Sequence, residues 1–348
     1  MGGAPDLWAL DLGFWNAARV PRVGGMEELA ERSGQRVLLL GATGTIGRAV
    51  LSALQEAGHE VVCFVRPGSK AVGPLVRVGD LHEPGAFARE GLCGERFDAV
   101  VSCMASRTGA PEDAWAVDYA AHMEVLAAAQ AAGIGRFVLL SAICVQKPKL
   151  EFQRAKLAFE EALAGSGMGY SIVRPTAYFK SLSGQVERVR AGKPFLLFGD
   201  GRLTACKPIS DGDLGRYIAG CLMEPDRFDR VLPIGGPGPA MTPVEMGEKL
   251  FELTGKTSRF KHVPVGMMDA IVGGLSLAGR VSARMRAKAE LARIGRYYAT
   301  ESMLVWDAAA GRYSAEQTPE YGEETLFDFY ERLVRAEVSV DRGDHAVF

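Results

Sequence analysis

Between about residue 36 and residue 175, short apolar runs alternate with longer stretches in which apolar residues return every three or four positions. VLLLG, VVCFVR, LVRVGD, FDAVVS, RFVLLS and YSIVRP are nearly continuous in apolar character, the pattern of strands covered on both faces. IGRAVLSALQEAG and MEVLAAAQAAGIG carry helical spacing between them. Strands of this kind alternating with helices predict a doubly wound α/β fold around a parallel sheet.

After Pro175 the alternation becomes irregular and turn residues multiply, as in FGDG around Gly201 and GGPGP at 235–239. Thr242-Pro243 with Glu245 predicts a helix start, a capping side chain followed by proline in the first turn. The first 34 residues precede the first strand and hold Trp8, Phe14 and Trp15, aromatics expected on an added helix packed against the domain. The expected division is an N-terminal extension (1–34), a dinucleotide-binding domain (35–175) and a smaller C-terminal substrate lobe (176–348) packed closely on it.

Charge and composition narrow the class. A formal net charge of -2 gives no reason to expect nucleic acid. The six cysteines are scattered without a C-x-x-C pair, which points away from a zinc site and a disulfide framework. The N-terminus lacks the basic region of a targeting peptide, and no uncharged apolar run reaches spanning length. The expected location is therefore cytoplasmic. One segment stands apart: between Lys256 and Arg296 basic residues far outnumber Asp269 and Glu290, while the tail beyond Glu316 is acidic. The segment reads either as a solvated face paired with that tail, or as a basic surface that receives an anionic, greasy ligand or touches a membrane.

Gly41-Ala42-Thr43-Gly44-Thr45-Ile46-Gly47 follows the first strand and opens a helix. Glycines there permit a tight turn and close approach of backbone to pyrophosphate, and the helix N-terminus offers N–H groups to phosphate. The spacing G-x-x-G-x-x-G resembles that of extended and atypical short-chain dehydrogenase/reductases. At the end of the second strand, where an acid would bind the ribose of NADH, stands Arg66, which suits the 2′-phosphate of NADPH. By the superfamily pattern, Asp80 and Leu81 line the adenine pocket, and Ser102 to Ala105 pass the nicotinamide ribose.

EFQRAK (151–156) occupies the place of that superfamily's Tyr-x-x-x-Lys. Lys156 is present, but Phe152 stands where the proton-donating tyrosine belongs. Ser141 ends the fifth strand, with Ala142 next in line for the serine's place. Two explanations follow: an NADP-binding sensor or assembly protein without activity, or a substrate needing no stabilised alkoxide. SAICVQKP (141–148), EFQRAK, VRPTAYFKSL (173–182), FGDG (198–201) and ACKPIS (205–210) closely resemble the divinyl chlorophyllide 8-vinyl-reductase family. The resemblance runs from about Gln35 into the C-terminal lobe. It implies NADPH-dependent reduction of the 8-vinyl group of a magnesium-containing divinyl (proto)chlorophyllide to ethyl, and leaves open a location peripheral to a photosynthetic membrane. Hydride addition to a vinyl group leaves charge spread over the macrocycle, so a phenol at position 152 has no local anion to protonate. The alternative enzyme is an isoflavone-reductase-like reductase of another conjugated substrate.

Within that resemblance Lys156 is expected to hold the nicotinamide ribose, with Lys156, Tyr178 and Lys180 as proton-donor candidates beside water. Phe152 is expected as an apolar wall for the ring, and Lys147, Lys180 or Lys207 as partner of the propionate. Cys206, beside Lys207, is expected in the same pocket; it and Cys144 read foremost as small apolar fillers. No metal site of the protein's own is expected, and His122, without evident partners, receives no role.

Overall fold

The computed structural model describes residues 34–70 and 73–339. Trp8, Phe14 and Trp15 of the N-terminal extension lie outside the described residues. All six expected strands form: β1 (Arg36–Leu40), β2 (Glu60–Val65), β3 (Leu75–Val78), β4 (Ala99–Ser102), β5 (Arg136–Leu140) and β6 (Gly169–Pro175). They pair in parallel in the order β3-β2-β1-β4-β5-β6, and β8 (Arg230–Ile234) adds a seventh parallel strand beside β6. The sheet thus takes an edge strand from well beyond residue 175. β8 carries Pro233, which an edge strand tolerates.

The flanking helices follow the same logic. Helix α1 (Thr45–Glu56) packs on one face with α4 (Asp211–Gly220), burying Val50, Leu54, Leu214 and Ile218 against Leu39 and Val101. On the other face α2 (His122–Ala131) and α3 (Glu151–Ala164) bury Val125, Leu126, Phe159 and Leu163 against Leu38, Val100 and Phe137. These strands contribute side chains to both cores, which is why their sequences read as unbroken apolar runs.

The C-terminal lobe is built from a parallel pair, β7 (Phe195–Phe198) with β9 (Phe260–Val263), a hairpin of β10 (Val305–Asp307) with β11 (Arg312–Ser314), and helices. Helix α5 (Pro243–Thr254) starts where expected: Thr242 and Glu245 form a reciprocal cap, with proline in the first turn. Helices α6 (Val265–Ala278) and α7 (Ala283–Thr300) form an antiparallel hairpin, and α8 (Leu326–Val334) closes the lobe. A third apolar cluster joins the lobes, combining Phe152 and Cys144 from the first with Phe179, Leu250, Tyr297 and Tyr330 from the second.

Candidate active site

The glycine loop leaves β1 and enters α1 at the carboxyl end of the sheet, beside the loop after β4. Gly41 has φ +77°, and a Cβ on it would meet the Cys103 carbonyl at 2.6 Å. A Cβ on Gly47 would meet the Gly41 oxygen at 2.0 Å. Backbone packing alone therefore demands these two glycines. Gly44 differs. Its φ of -74° suits any residue, and a Cβ there would touch only the Gly41 oxygen, at 3.4 Å. Nothing within the protein requires glycine at position 44, whereas a phosphate seated on the first turn of α1 does. The loop fits a dinucleotide.

Two further groups face this turn. Lys180 donates from Nζ to Thr45 Oγ1 at 2.9 Å. Asp211, at the start of α4, keeps Oδ1 without a partner, and burial raises its pKa against the pull of the Lys180 cation. Lys180 was expected near the reacting ring or the propionate; its ammonium is instead drawn to the phosphate turn. Thr43 lends its carbonyl to the Arg48 guanidinium, and Ile46 is buried in the core. Arg66 is exposed just past β2 and makes no ion pair with the described residues. Asp80 caps the turn after β3 by accepting from the His82 amide at 3.0 Å, and Leu81 packs at the edge of the core.

Phe152 and Lys156 lie one turn apart on α3. Lys156 Nζ donates to Asp118 Oδ1 at 3.0 Å, and Asp118, fully buried, also accepts from the Ser106 amide and hydroxyl at 3.2 and 2.6 Å. Asp118 thus fixes the ammonium and ties the loop after β4 to the same point. It was missed in the sequence. The one available signal was a lone acid in the otherwise apolar stretch AWAVDYAAH. Phe152 is 9 % exposed and belongs to the apolar cluster between the lobes, with Ile294 of α7 packed against that cluster and reaching over Gly109.

His122 requires a correction. It has close partners, and it lies one turn beyond Asp118. Nδ1 is 2.9 Å from the Val117 carbonyl and Nε2 is 2.9 Å from Ser102 Oγ. A carbonyl only accepts, so Nδ1 carries the proton and Nε2 accepts from the Ser102 hydroxyl. Burial, seconded by the Lys156 cation, lowers the His122 pKa to about 4. This corrects Ser102 as well: its buried side chain serves His122 and the Met104 amide of the loop turn.

The serine position is equally spent. Ser141 donates to Glu160, which also pairs with Arg174, so its hydroxyl is committed inside the domain. Lys147 was expected at the substrate; its Nζ lies 3.1 Å from Glu301 Oε2 and 3.9 Å from the Trp306 ring centroid. Lys207 is 6 % exposed, pairs with Glu320 and reaches the Thr318 carbonyl at 3.4 Å. Both cations are satisfied within the protein, which removes the reason to assign them a propionate. Cys206 is buried between the backbones of Met241 and Met303, and burial pushes its thiol up to about 12, as an apolar filler requires.

Two phenols remain. Tyr178, joined to Ile209 by a backbone bridge, packs beside Cys103; burial raises its pKa. Tyr298 of α7 directs its hydroxyl to Cys144 Sγ at 3.8 Å, while the neighbouring Tyr297 hydroxyl holds the Cys144 carbonyl at 3.0 Å. The residue is 37 % exposed, but its hydroxyl end is enclosed against Cys144, and that local desolvation raises the Tyr298 pKa well above its ordinary value. Helix α7 is thereby pinned over the SAICVQKP loop, and Ile294 and Tyr298, four residues apart, share one face of it. Tyr298 lies outside every motif that marked the site in the sequence.

Comparison with known proteins agrees with this geometry. Residues 41–225 match the family described as NAD(P)H-binding. Over 331 residues the chain is 47 % identical to the divinyl chlorophyllide a 8-vinyl-reductase, chloroplastic, of Oryza sativa subsp. indica, spanning 90 % of this chain and 82 % of that one. Identity to the protein of the same name from Arabidopsis thaliana is 46 % over 320 residues, covering 86 % and 76 %. Among solved structures, the NADPH-dependent quinone oxidoreductase QOR2 of Escherichia coli complexed with NADPH superposes with a TM-score of 0.63 at 19 % identity, over 85 % of this chain and 99 % of that one. That last likeness is one of fold.

Proposed function

The chain belongs to the divinyl chlorophyllide a 8-vinyl-reductase family, and from that premise we propose how its own residues reduce the 8-vinyl group of a divinyl (proto)chlorophyllide to ethyl. The observation that carries the proposal is the combination at the reacting end of α3: a lysine held in place by Asp118, and an apolar Phe152 where carbonyl chemistry would need an acid. Bound NADPH supplies the hydride. The first turn of α1, open at Gly44 and backed by Lys180, holds the pyrophosphate, and Arg66 pairs with the 2′-phosphate. Lys156, oriented by Asp118, holds the nicotinamide ribose. Phe152 and Ile294 present an apolar wall to the flat ring and keep water from it.

Hydride addition to the terminal vinyl carbon leaves the inner carbon electron-rich, with charge delocalised into the macrocycle, and that carbon must take a proton. Phe152 has none to give, and Lys180 is drawn away to the phosphate turn. Of the two phenols we assign the donation to Tyr298, because α7 brings its hydroxyl down onto the loop that follows β5. A phenol is protonated at neutral pH, so it holds the proton that the inner carbon must take. The substrate is apolar over most of its area, so the working location is placed at the periphery of a photosynthetic membrane.

The test is spectroscopic. Purified protein with NADPH and the divinyl pigment should shift the Soret band to the blue as one conjugated vinyl group is lost. NADPH binding without any such shift would assign the chain to the sensor or assembly class.

A further inference from the structure

We propose that the α6–α7 hairpin docks the protein on a membrane surface bearing anionic headgroups. This rests on the peripheral location proposed above and names the surface that provides it. Helix α6, VGMMDAIVGGLSLA, has no buried residue, unlike the helices that cover the sheet. Met267 and Ile271 are half exposed, Leu277 is 64 % exposed and Val281, just past the helix, 91 %. At 100° per residue Met267, Ile271 and Leu277 fall within an arc of about 120°. Asp269, the single charged residue of α6, falls outside that arc and is paired with Arg296 of α7. The exposed face is therefore purely apolar.

Cations line the side of α6 that faces α7. Arg280, Arg286 and Arg293, with Ser276, Gly279 and Ala289, line a recess of about 200 Å³ between the two helices. Arg293 is shared with Glu290 and the Ser276 hydroxyl, each at 2.8 Å. Arg280 and Arg286 make no ion pair with the described residues, nor do Lys261, Arg284 and Lys288 nearby. A chain whose net charge is -2 thus concentrates cations without ion pairs among the described residues in the hairpin that carries this exposed apolar face.

This pairing selects the occupant. Headgroup phosphates complement the guanidinium recess, and acyl chains complement Met267, Ile271, Leu277 and Val281. A second copy of the chain is disfavoured, because a two-fold contact through this face would set the cations against themselves. The fourteen residues of α6 span only about 21 Å, short of the hydrocarbon core, so the helix lies along the surface. No described helix is long and apolar enough to cross a membrane.

Vesicle flotation tests the proposal on the full-length protein. The probes are phosphatidylcholine vesicles and vesicles containing about one-third phosphatidylglycerol, at low and high salt. The parent should float with the anionic vesicles alone, and high salt should release it. Arg280→Glu with Arg286→Glu should lower partitioning at least about 25-fold, at about fivefold per cation lost, and Leu277→Glu with Ile271→Glu at least about tenfold. Each variant is first checked for parental NADPH binding and circular dichroism. Equal flotation with both vesicle types, parental flotation of the variants, or light scattering that shows a dimer dissolved by Leu277→Glu would each overturn the proposal. The Soret assay on soluble pigment separates the two readings. Activity without flotation defeats the docking surface alone, and flotation without activity defeats the reductase reading alone.

Discussion

Replacing His122 by glutamine should reduce the sensitivity of the protein's stability to acid while lowering its stability at neutral pH. The imidazole is buried with both nitrogens engaged, one on the Val117 carbonyl and one on the Ser102 hydroxyl, and its ring lies 4.7 Å from that of Phe159. The charged groups facing it are Lys156, which lowers its pKa, and Asp118, which raises it; burial exceeds both and sets the value at about 4. In the unfolded chain the value returns to 6.5. Below pH 6.5 the unfolded chain therefore binds a proton that the folded chain refuses, and stability falls as pH falls. At 1.36 kcal/mol per unit the loss is about 2 kcal/mol by pH 5 and about 3 kcal/mol by pH 4. Glutamine cannot titrate but can still offer a donor and an acceptor. Urea unfolding, followed by circular dichroism at pH about 7.5 and about 5, gives the stability lost between the two. That loss should be smaller in His122→Gln by about 2 kcal/mol. An unchanged loss would show that His122 is not buried neutral and that the Ser102 contact is misassigned.

The other expectations concern the site. Arg66→Ala should weaken NADPH by about 10- to 150-fold, a charge-assisted bond of roughly 1.5–3 kcal/mol, with little effect on NADH; equal losses by titration calorimetry would remove Arg66 as selector. Gly44→Val should abolish NADPH binding while leaving the unfolding midpoint near parental, because a Cβ there meets only one protein atom; Gly47→Ala should lower the midpoint itself, since its Cβ would lie 2.0 Å from the Gly41 oxygen. Phe152→Tyr should not accelerate single-turnover vinyl reduction and should cost roughly 1–3 kcal/mol of stability for a hydroxyl set among apolar side chains, whereas Lys156→Ala should slow turnover strongly; a faster tyrosine variant beside a normal alanine variant would refute the account of position 152. Tyr298→Phe should cut the single-turnover rate by about 10²- to 10⁴-fold at unchanged NADPH affinity, and the same loss in Tyr178→Phe alone would transfer the donor role.

The sheet was legible because each buried strand is an apolar run, and the glycine loop because Gly41 and Gly47 answer a local backbone need. What stayed hidden in the sequence depends on partners distant along the chain. Asp118 matters through Lys156, 38 residues away, and His122 through Ser102, 20 residues away. Tyr298 reaches the loop after β5 only because α7 folds back over Cys144, 154 residues earlier. The same blindness works in reverse. Lys147 and Lys207 stand in distinctive motifs, yet Glu301 and Glu320 neutralise them from the far end of the chain. A motif records that a cation is needed, not which partner consumes it.

The seventh strand also bears on how the chain must be made. β6 is complete at Pro175, but its outer neighbour β8 is not synthesised until residues 230–234, and the fourth helix of the nucleotide-binding layers lies between them. During translation β6 therefore waits with an unpaired row of peptide groups while about fifty further residues emerge, at a few seconds' delay. An open parallel edge of that kind is a template for pairing with another nascent chain. Release of a fragment ending near residue 175 would make that exposure permanent, so yield should depend on uninterrupted synthesis past β8 more than on the length of the tail that follows.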